Sequence, residues 1–446
     1  MRLNTHYTLF ENEEKAYSEM GWDDDDTRID LLEKLNEKCG TTLLRIGRHS
    51  LKATQYVGMI RIGKDTIQIL PKIDYKLYLP FDNEKDERII SAASNLMTML
   101  AYAYRLKIHP IKSTYMEQQK GDWFEWLTYL FASELYRQLT LGVDRSYIDK
   151  EETLPFLRGK WLISRQYAHR PILLDHFEVR YDEYSVETIL NQVFITAIDQ
   201  LLRHTRVNEN IRLLLAARNI LYAKAFEAQK LPENYRKLIH FTRLNNRFET
   251  AYSMADLFLQ GSVAHFSAGD RNVTAFVFDM NQLFEQFVTE FLLTHKELVF
   301  KNILEDVQII SQAKERPVYL LKQVFPGRKD IFRLKPDLMI RSKGRTTAIA
   351  DIKYKQLDAS KRDLGIQQHD SYQMLAYAVA FDCDQSVLFY PEPAAHSIES
   401  AYRITNMNTE MRLAFINLHQ PLDNQDYLIR DLQTIFRFLH KEVIYA

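Results

Sequence analysis

Residues Lys335 to Lys355 read KPDLMIRSKGRTTAIADIKYK, a short apolar run, a polar cluster and a second run rich in β-branched residues. Leu338, Met339 and Ile340 lead into Ser342, Lys343 and Gly344, and Thr346 to Ile352 resumes the strand pattern, so the segment predicts a β-hairpin. Such a hairpin brings Asp337 and Asp351 to the same end of two neighbouring strands, where two carboxylates share a cation. Oxygen-only ligands suit a hard ion such as Mg²⁺, with Mn²⁺ the alternative, held by one or two carboxylates plus substrate phosphates. Lys353 stands two residues after Asp351, on the same strand face. There Lys353 holds an attacking water or, as the neutral amine, deprotonates it, and as an ammonium offsets charge on a phosphorane-like transition state. The chemistry this set suits is phosphodiester hydrolysis.

Two flanking segments agree with it. HDSYQMLAYAVAF, from His369, predicts a helix on which Gln373 and Tyr377 lie one turn apart on one face, with Asp370 read as its N-cap. MNQLFEQFVTEFLLTH, from Met280, predicts an amphipathic helix with Leu283, Phe284, Phe287, Val288, Phe291 and Leu292 on its apolar face and Glu285 carried beside them. The order is a helix with Glu, a strand with Asp, a strand with Asp-x-Lys and a helix with Gln-x-x-x-Tyr.

This order resembles the PD-(D/E)xK nuclease core, written here as PD at Pro336 and Asp337, DIK at Asp351 to Lys353 and QMLAY at Gln373 to Tyr377. The resemblance implies Asp337, Asp351 and the Ile352 carbonyl as metal ligands, and Lys353 as the water-orienting or charge-stabilising residue. Glu285 is expected as an outer metal or water ligand. Gln373 and Tyr377 are expected to orient the DNA phosphate or the lysine. In-line attack by water then leaves 5′-phosphate and 3′-hydroxyl ends.

Segments further upstream resemble the McrC family, the nuclease subunit of McrBC-type modification-dependent restriction systems. They are ASNLMTMLAYAY (Ala93 to Tyr104), LRGKW (Leu157 to Trp161) and YDEYSVETILNQVFITAI (Tyr181 to Ile198). LFEQFVTEF, the DIKYK strand, YQMLAYA and SVLFYP (Ser386 to Pro391) continue the likeness to the nuclease end. That resemblance implies a partner, a ring-forming McrB-like AAA+ GTPase that recognises modified DNA such as 5-methylcytosine while this chain docks, stimulates GTP hydrolysis and cuts, as in phage defence. Cutting both strands implies two nuclease copies meeting.

The rest of the sequence bounds these expectations. With 446 residues, 46% hydrophobic and 26% charged, the chain has the composition of a globular protein of two or three domains rather than a disordered or fibrous one. Net charge is −1, yet Ser311 to Gly365 holds 14 Lys or Arg against 6 Asp or Glu, a basic stretch suited to phosphate. Cys39 and Cys383 offer neither a disulfide framework nor a zinc ribbon. No apolar run reaches membrane-spanning length and the N-terminus has no signal core, so a cytoplasmic location without membrane insertion is expected.

The expected organisation is a multidomain α+β or α/β chain in three successive blocks. Residues 1–83 form a small β-rich domain after an acidic run at Asp23 to Asp26, 84–250 a mainly helical middle, and 251–446 the PD-(D/E)xK nuclease domain. The first two blocks are expected to dock on the partner, with Arg45, Arg48, Arg61 and Lys64 as candidate contacts. Trp123, Phe124, Trp126, Tyr129 and Phe131 fall within helical periodicity and read as core. GMIRIGKD (Gly58 to Asp65) matches a phosphate-loop spacing, but TIQIL and Pro71 follow it, which is strand chemistry, so no nucleotide is expected to bind this chain. Two other function classes stay open: a stand-alone repair or recombination nuclease, and a non-catalytic GTPase-activating assembly subunit.

Overall fold

A computed structural model describes residues 6–22, 26–72, 84–106, 122–169, 175–222, 230–268, 271–312, 317–358, 360–393 and 400–440. Most of the acidic run at Asp23 to Asp26 lies outside them. Among the described residues the protein is a mixed α and β chain with five sheets. It forms two compact units, Met1–Trp123 together with Gly261–Ala446, and Phe124–Gln260. This differs from the three successive blocks expected, and the reason is strand pairing between distant segments.

The first sheet of the larger unit runs His6–Phe10, Asp65–Leu70, Tyr56–Ile62, Arg271–Asp279, Ser262–Ala268. Its last two strands, expected in the nuclease block, instead complete the N-terminal sheet, with Val277 opposite Gly58. Leu9, Ile60, Ile67, Ile69, Val273 and Ala275 form one core with Trp22 and with Leu31, Leu32 and Leu35 of the helix Asp26–Cys39. The helix Glu84–Ala103, expected in the middle block, packs on Met280–Val299, where the Tyr102 ring meets Phe287 and Phe291 at 5.8 and 4.9 Å. Asn95 within it donates to the Leu418 and Gln420 carbonyls, both at 3.0 Å, and accepts the Leu422 N–H at 3.0 Å. The motif around Asn95 is thus a clamp on residues 418–422.

The phosphate-loop spacing is a hairpin corner. Gly63 turns with φ 56° between Tyr56–Ile62 and Asp65–Leu70, and the buried Asp65 pairs with Arg28 at 2.7 Å. Arg61 is buried, its Nε donating to the Thr66 hydroxyl at 3.3 Å, so it is not the surface group expected. Arg45, Arg48 and Lys64 are exposed.

The second sheet runs Val307–Ser311, Leu338–Ser342, Arg345–Ile352, Gln385–Pro391, Glu410–Ile416, Ser400–Arg403. Its first three strands are antiparallel, its middle is parallel and its far edge is antiparallel. Lys343 and Gly344 turn with φ 50° and 79°, the pair of positive angles that matches hairpin twist. The helix Gln368–Phe381 crosses from one parallel strand to the next and lays Met374 and Tyr377 on Ile349, Leu388, Tyr390 and Leu413. On the opposite face Phe389 meets Phe436 of the helix Gln425–Phe436 at 5.9 Å, and Phe436 meets Phe300 at 4.8 Å. The central strands are therefore buried on both faces, which their unbroken apolar runs require.

In the smaller unit Phe258 of the helix Glu249–Gly261 meets Phe124 and Phe131 of the helix Trp123–Thr140 at 6.0 and 5.8 Å, and Ile189–Leu202 packs on Asn208–Tyr222. Phe124, Trp126 and Phe131 are buried and Tyr129 is half-buried, so these aromatics pack as expected. Glu125 is buried and accepts from the Thr205 hydroxyl at 2.5 Å, the Arg206 N–H at 2.8 Å and Asn210 at 2.9 Å. A three-stranded sheet of Ser146–Leu154, Phe177–Ser185 and Lys160–Trp161 adds strand to a region expected to be mainly helical. Gly159, in LRGKW, has φ 65° and would bring a Cβ within 2.4 Å of the Arg180 carbonyl oxygen. Among the described residues no helix is long and apolar enough to cross a membrane.

Candidate active site

The register of the central hairpin positions the carboxylates. Leu338 pairs with Ala350, so Asp337 and Asp351 face each other one step further along. Asp351 shares the sheet face of Ile349, the face covered by Gln368–Phe381. Asp337 Oδ2 accepts the Ile352 N–H at 2.7 Å. Ile352 thus supplies a donor that fixes Asp337, and its own side chain is buried.

Asp351 is 1% exposed, and Lys353 Nζ approaches its Oδ2 at 2.6 Å. The pair is a short, largely buried ion pair. Gln373 Nε2 donates to the Tyr377 hydroxyl at 2.7 Å and lies 3.5 Å from Asp351 Oδ1. The Tyr377 hydroxyl in turn donates to the Lys335 carbonyl at 3.0 Å. Gln373 and Tyr377 therefore brace the backbone just before Asp337 against Asp351. Glu285 is half-buried on Met280–Val299, and its charge reaches Asp337.

Electrostatics follow from burial. Desolvation, with the facing Asp351 and Glu285 charges, pushes Asp337 well above the ordinary carboxylate range. Asp351 is raised by burial too, with Lys353 opposing the rise. For Lys353 burial lowers the pKa, but the Asp351 carboxylate outweighs it and the net shift is upward. The ammonium stays charged while the carboxylates stand in an environment that favours neutralisation.

The fit to a divalent cation rests on these groups. Asp337 and Asp351 face each other, with Glu285 within electrostatic reach, and offer oxygen donors only. Among the described residues no three His, Cys, Asp or Glu side chains converge as a closed cage. Mg²⁺ sites typically recruit waters and substrate phosphates instead of one. The residues suit that kind of site.

One expectation is corrected. The helix begins at Gln368 with the extended residue Gln367 as its N-cap, so Asp370 lies inside the first turn. Asp370 is buried and pairs with Lys355 Nζ at 3.2 Å, and its charge reaches both Asp351 and Lys353. Sequence reading missed Lys355 and Asp370 as site neighbours. The period-two spacing of Asp351, Lys353 and Lys355 was the available signal. The ring of Tyr354, on the other side, meets that of Phe284 at a tilt with centroids 5.4 Å apart, and its hydroxyl donates to Glu11 at 2.8 Å. Burial pushes Glu11 up to about 7.

Tyr377→Phe tests the brace. The Lys335 carbonyl and Gln373 amide lose a partner, and the expected destabilisation is about 1–2 kcal/mol, read by chemical denaturation. Unchanged stability would mean the hydroxyl makes no net contribution.

Two facing carboxylates and a lysine thus stand together at the end of a mixed sheet. A family model described as "McrBC 5-methylcytosine restriction system component" matches residues 51–391. The chain belongs to that family. Among solved structures, it is similar to a chain of the refined half-complex from the tetradecameric assembly of Thermococcus gammatolerans McrB AAA+ hexamers with bound McrC. That match has 24% identity and a TM-score of 0.64, and covers 97% of this chain and 100% of the other. A chain of the cryo-EM structure of the Thermococcus gammatolerans McrBC complex matches at 26% identity and a TM-score of 0.49, over 66% of this chain and 88% of the other. No curated protein matches.

Proposed function

We propose that this chain is the McrC-like, DNA-cleaving subunit of a McrBC-type restriction system, a divalent-cation-dependent endodeoxyribonuclease of the PD-(D/E)xK kind. The observation that carries the reading is the buried Asp351–Lys353 pair opposite Asp337. Asp337 and Asp351 are the residues to hold Mg²⁺ or Mn²⁺, with the Ile352 carbonyl and Glu285 at the margin. Bound there, the cation supplies Lewis-acid polarisation of the phosphate and a more acidic water.

The chain's own groups supply the rest. Lys353 is charged, so its place is to orient the attacking water and stabilise negative charge on the phosphoryl oxygens, rather than to take a proton. Gln373 and Tyr377 hold the strand start against Asp351 and so fix the distance between the two carboxylates. Asp370 keeps Lys355 at the rim, next to where a DNA phosphate enters.

The proposed partner is a McrB-like AAA+ GTPase, which reads the modified base and docks on this chain. The test is cleavage of methylated and unmethylated plasmid by the chain with a McrB-like AAA+ protein, GTP and Mg²⁺. Cutting of methylated plasmid that needs partner and nucleotide supports the whole reading. Cutting without them would make the chain an autonomous nuclease, and no cutting would make it a regulatory subunit.

Mg²⁺ itself gives a second test. With Asp337 raised, the native state keeps a proton that the unfolded chain releases, so stability is fully present below the unfolded pKa and falls as pH rises through the folded one. Mg²⁺ is expected to raise the melting temperature, and to do so more at pH 8 than at pH 6, because it replaces that proton. Asp351→Asn is expected to lose most of the shift. A Mg²⁺ effect identical in the variant would place the cation elsewhere.

A further inference from the structure

The strands Val318–Lys322 and Asp330–Leu334 form a two-stranded ribbon of their own, joined to neither main sheet. Leu334 at its base is buried in the core beneath the Gln368–Phe381 helix, with Val318 packed against it. From Leu320 outward nearly every residue is exposed, and at the tip Val324 is 92% and Phe325 87% exposed. Phe332, 66% exposed, stands between the paired positions Arg333 and Ile331 with φ 60°, a conformation bulky residues rarely take. A free ribbon of this size is marginal in water, and apolar side chains at its end call for a partner.

Charge identifies that partner. Lys322, Arg328, Lys329, Arg333 and Lys335 are all exposed on or beside the ribbon, and among the described residues from 317 to 335 the one carboxylate is Asp330. Two copies of so basic a ribbon repel each other, whereas duplex DNA complements it. A two-stranded β-ribbon fits the major groove, cations neutralise flanking phosphates, and apolar tips wedge against base steps. Continuity gives the location: Leu334 runs through Lys335 and Pro336 into Asp337, and the Lys335 carbonyl is fastened by Tyr377. Duplex lying against the ribbon is presented to the carboxylates.

We propose that the Val318–Leu334 ribbon is a duplex-DNA docking arm, its basic flanks on phosphates and Val324 and Phe325 against the bases or sugars. The inference rests on the nuclease reading for its purpose, but its test reads binding. Full-length protein in EDTA is titrated against a fluorescein-labelled DNA duplex over a range of salt, by anisotropy. Arg328→Glu with Lys329→Glu is expected to weaken binding about tenfold or more and to lower the slope of log K against log salt by about 2. Val324→Ser with Phe325→Ser is expected to weaken binding with the slope unchanged.

Both double variants change exposed side chains only, and unchanged melting temperatures confirm that they fold. Wild-type binding by either folded variant overturns the proposal, as does a wild type that binds no duplex. Self-association abolished by the same changes, without an effect on DNA, overturns it in favour of a second copy. If ribbon-dependent binding holds while the wild type never cuts with Mg²⁺, GTP and partner, the arm stands and the nuclease reading falls.

Discussion

Asp351→Asn is expected to lower Mg²⁺-dependent DNA cleavage on the order of 10³-fold or more while leaving the fold and partner assembly intact. The asparagine keeps the shape of the side chain but removes a buried charge that burial already disfavours, so the melting temperature in EDTA is expected to hold or rise. Lys353→Ala gives the same loss of cleavage with the opposite effect on stability. Asp351, 1% exposed, is left without its counter-ion, a change that costs about 3 kcal/mol or more for a fully buried pair and less here because Lys353 is 23% exposed. Cleavage assays beside thermal melts of the two variants separate catalysis from folding. Loss of assembly in both would instead make the hairpin a structural element.

Gly58→Ala is expected to be among the most damaging single substitutions outside the site. Gly58 has φ 145° and lies against the strand Arg271–Asp279, where an added Cβ would come within 2.2 Å of the Phe276 carbonyl oxygen and 2.6 Å of the Val277 Cα. Both atoms are backbone in the middle of a five-stranded sheet, so neither can step aside without breaking the pairing. The cost is about 3 kcal/mol or more, from strain and lost pairing together. Gly21→Ala is the control: φ is 62° but nothing lies within 4 Å, so only the left-handed backbone cost of about 1 kcal/mol applies. Equal effects on soluble yield and melting temperature would overturn the account.

Local signals in the sequence were sufficient for the hairpin, the two helices beside it and the strand after them. Alternation, turn residues and helical spacing all act within a few residues of one another there. The gathering of Asp337, Asp351, Lys353, Gln373 and Tyr377 follows because hairpin register and helix phase place them. The N-cap expected at Asp370 failed because Gln367, with no side-chain cap, starts the helix earlier. The blocks failed for a different reason. Ser262–Ala268 and Arg271–Asp279 look like any half-buried strands, and nothing local in them says that their partner is Tyr56–Ile62. Nor does the Asn95 motif announce that its amide holds residues 418–422. Such long-range pairings are set by the whole core, which a single sequence does not display.

The strand Tyr56–Ile62 has one neighbour from its own hairpin and another that leaves the ribosome only after the whole of Phe124–Gln260 has been made. During synthesis one edge of that strand is therefore open, and the nascent sheet waits for residues near Asp279 to close it. The smaller unit, whose ends both precede that moment, has every segment it needs to fold first. A chain cut short before Arg271 lacks the strand that pairs with Tyr56–Ile62 along that edge. Removing residues 1–76 strips three of the five strands from the same sheet, so trimming the N-terminus cannot separate docking from cutting.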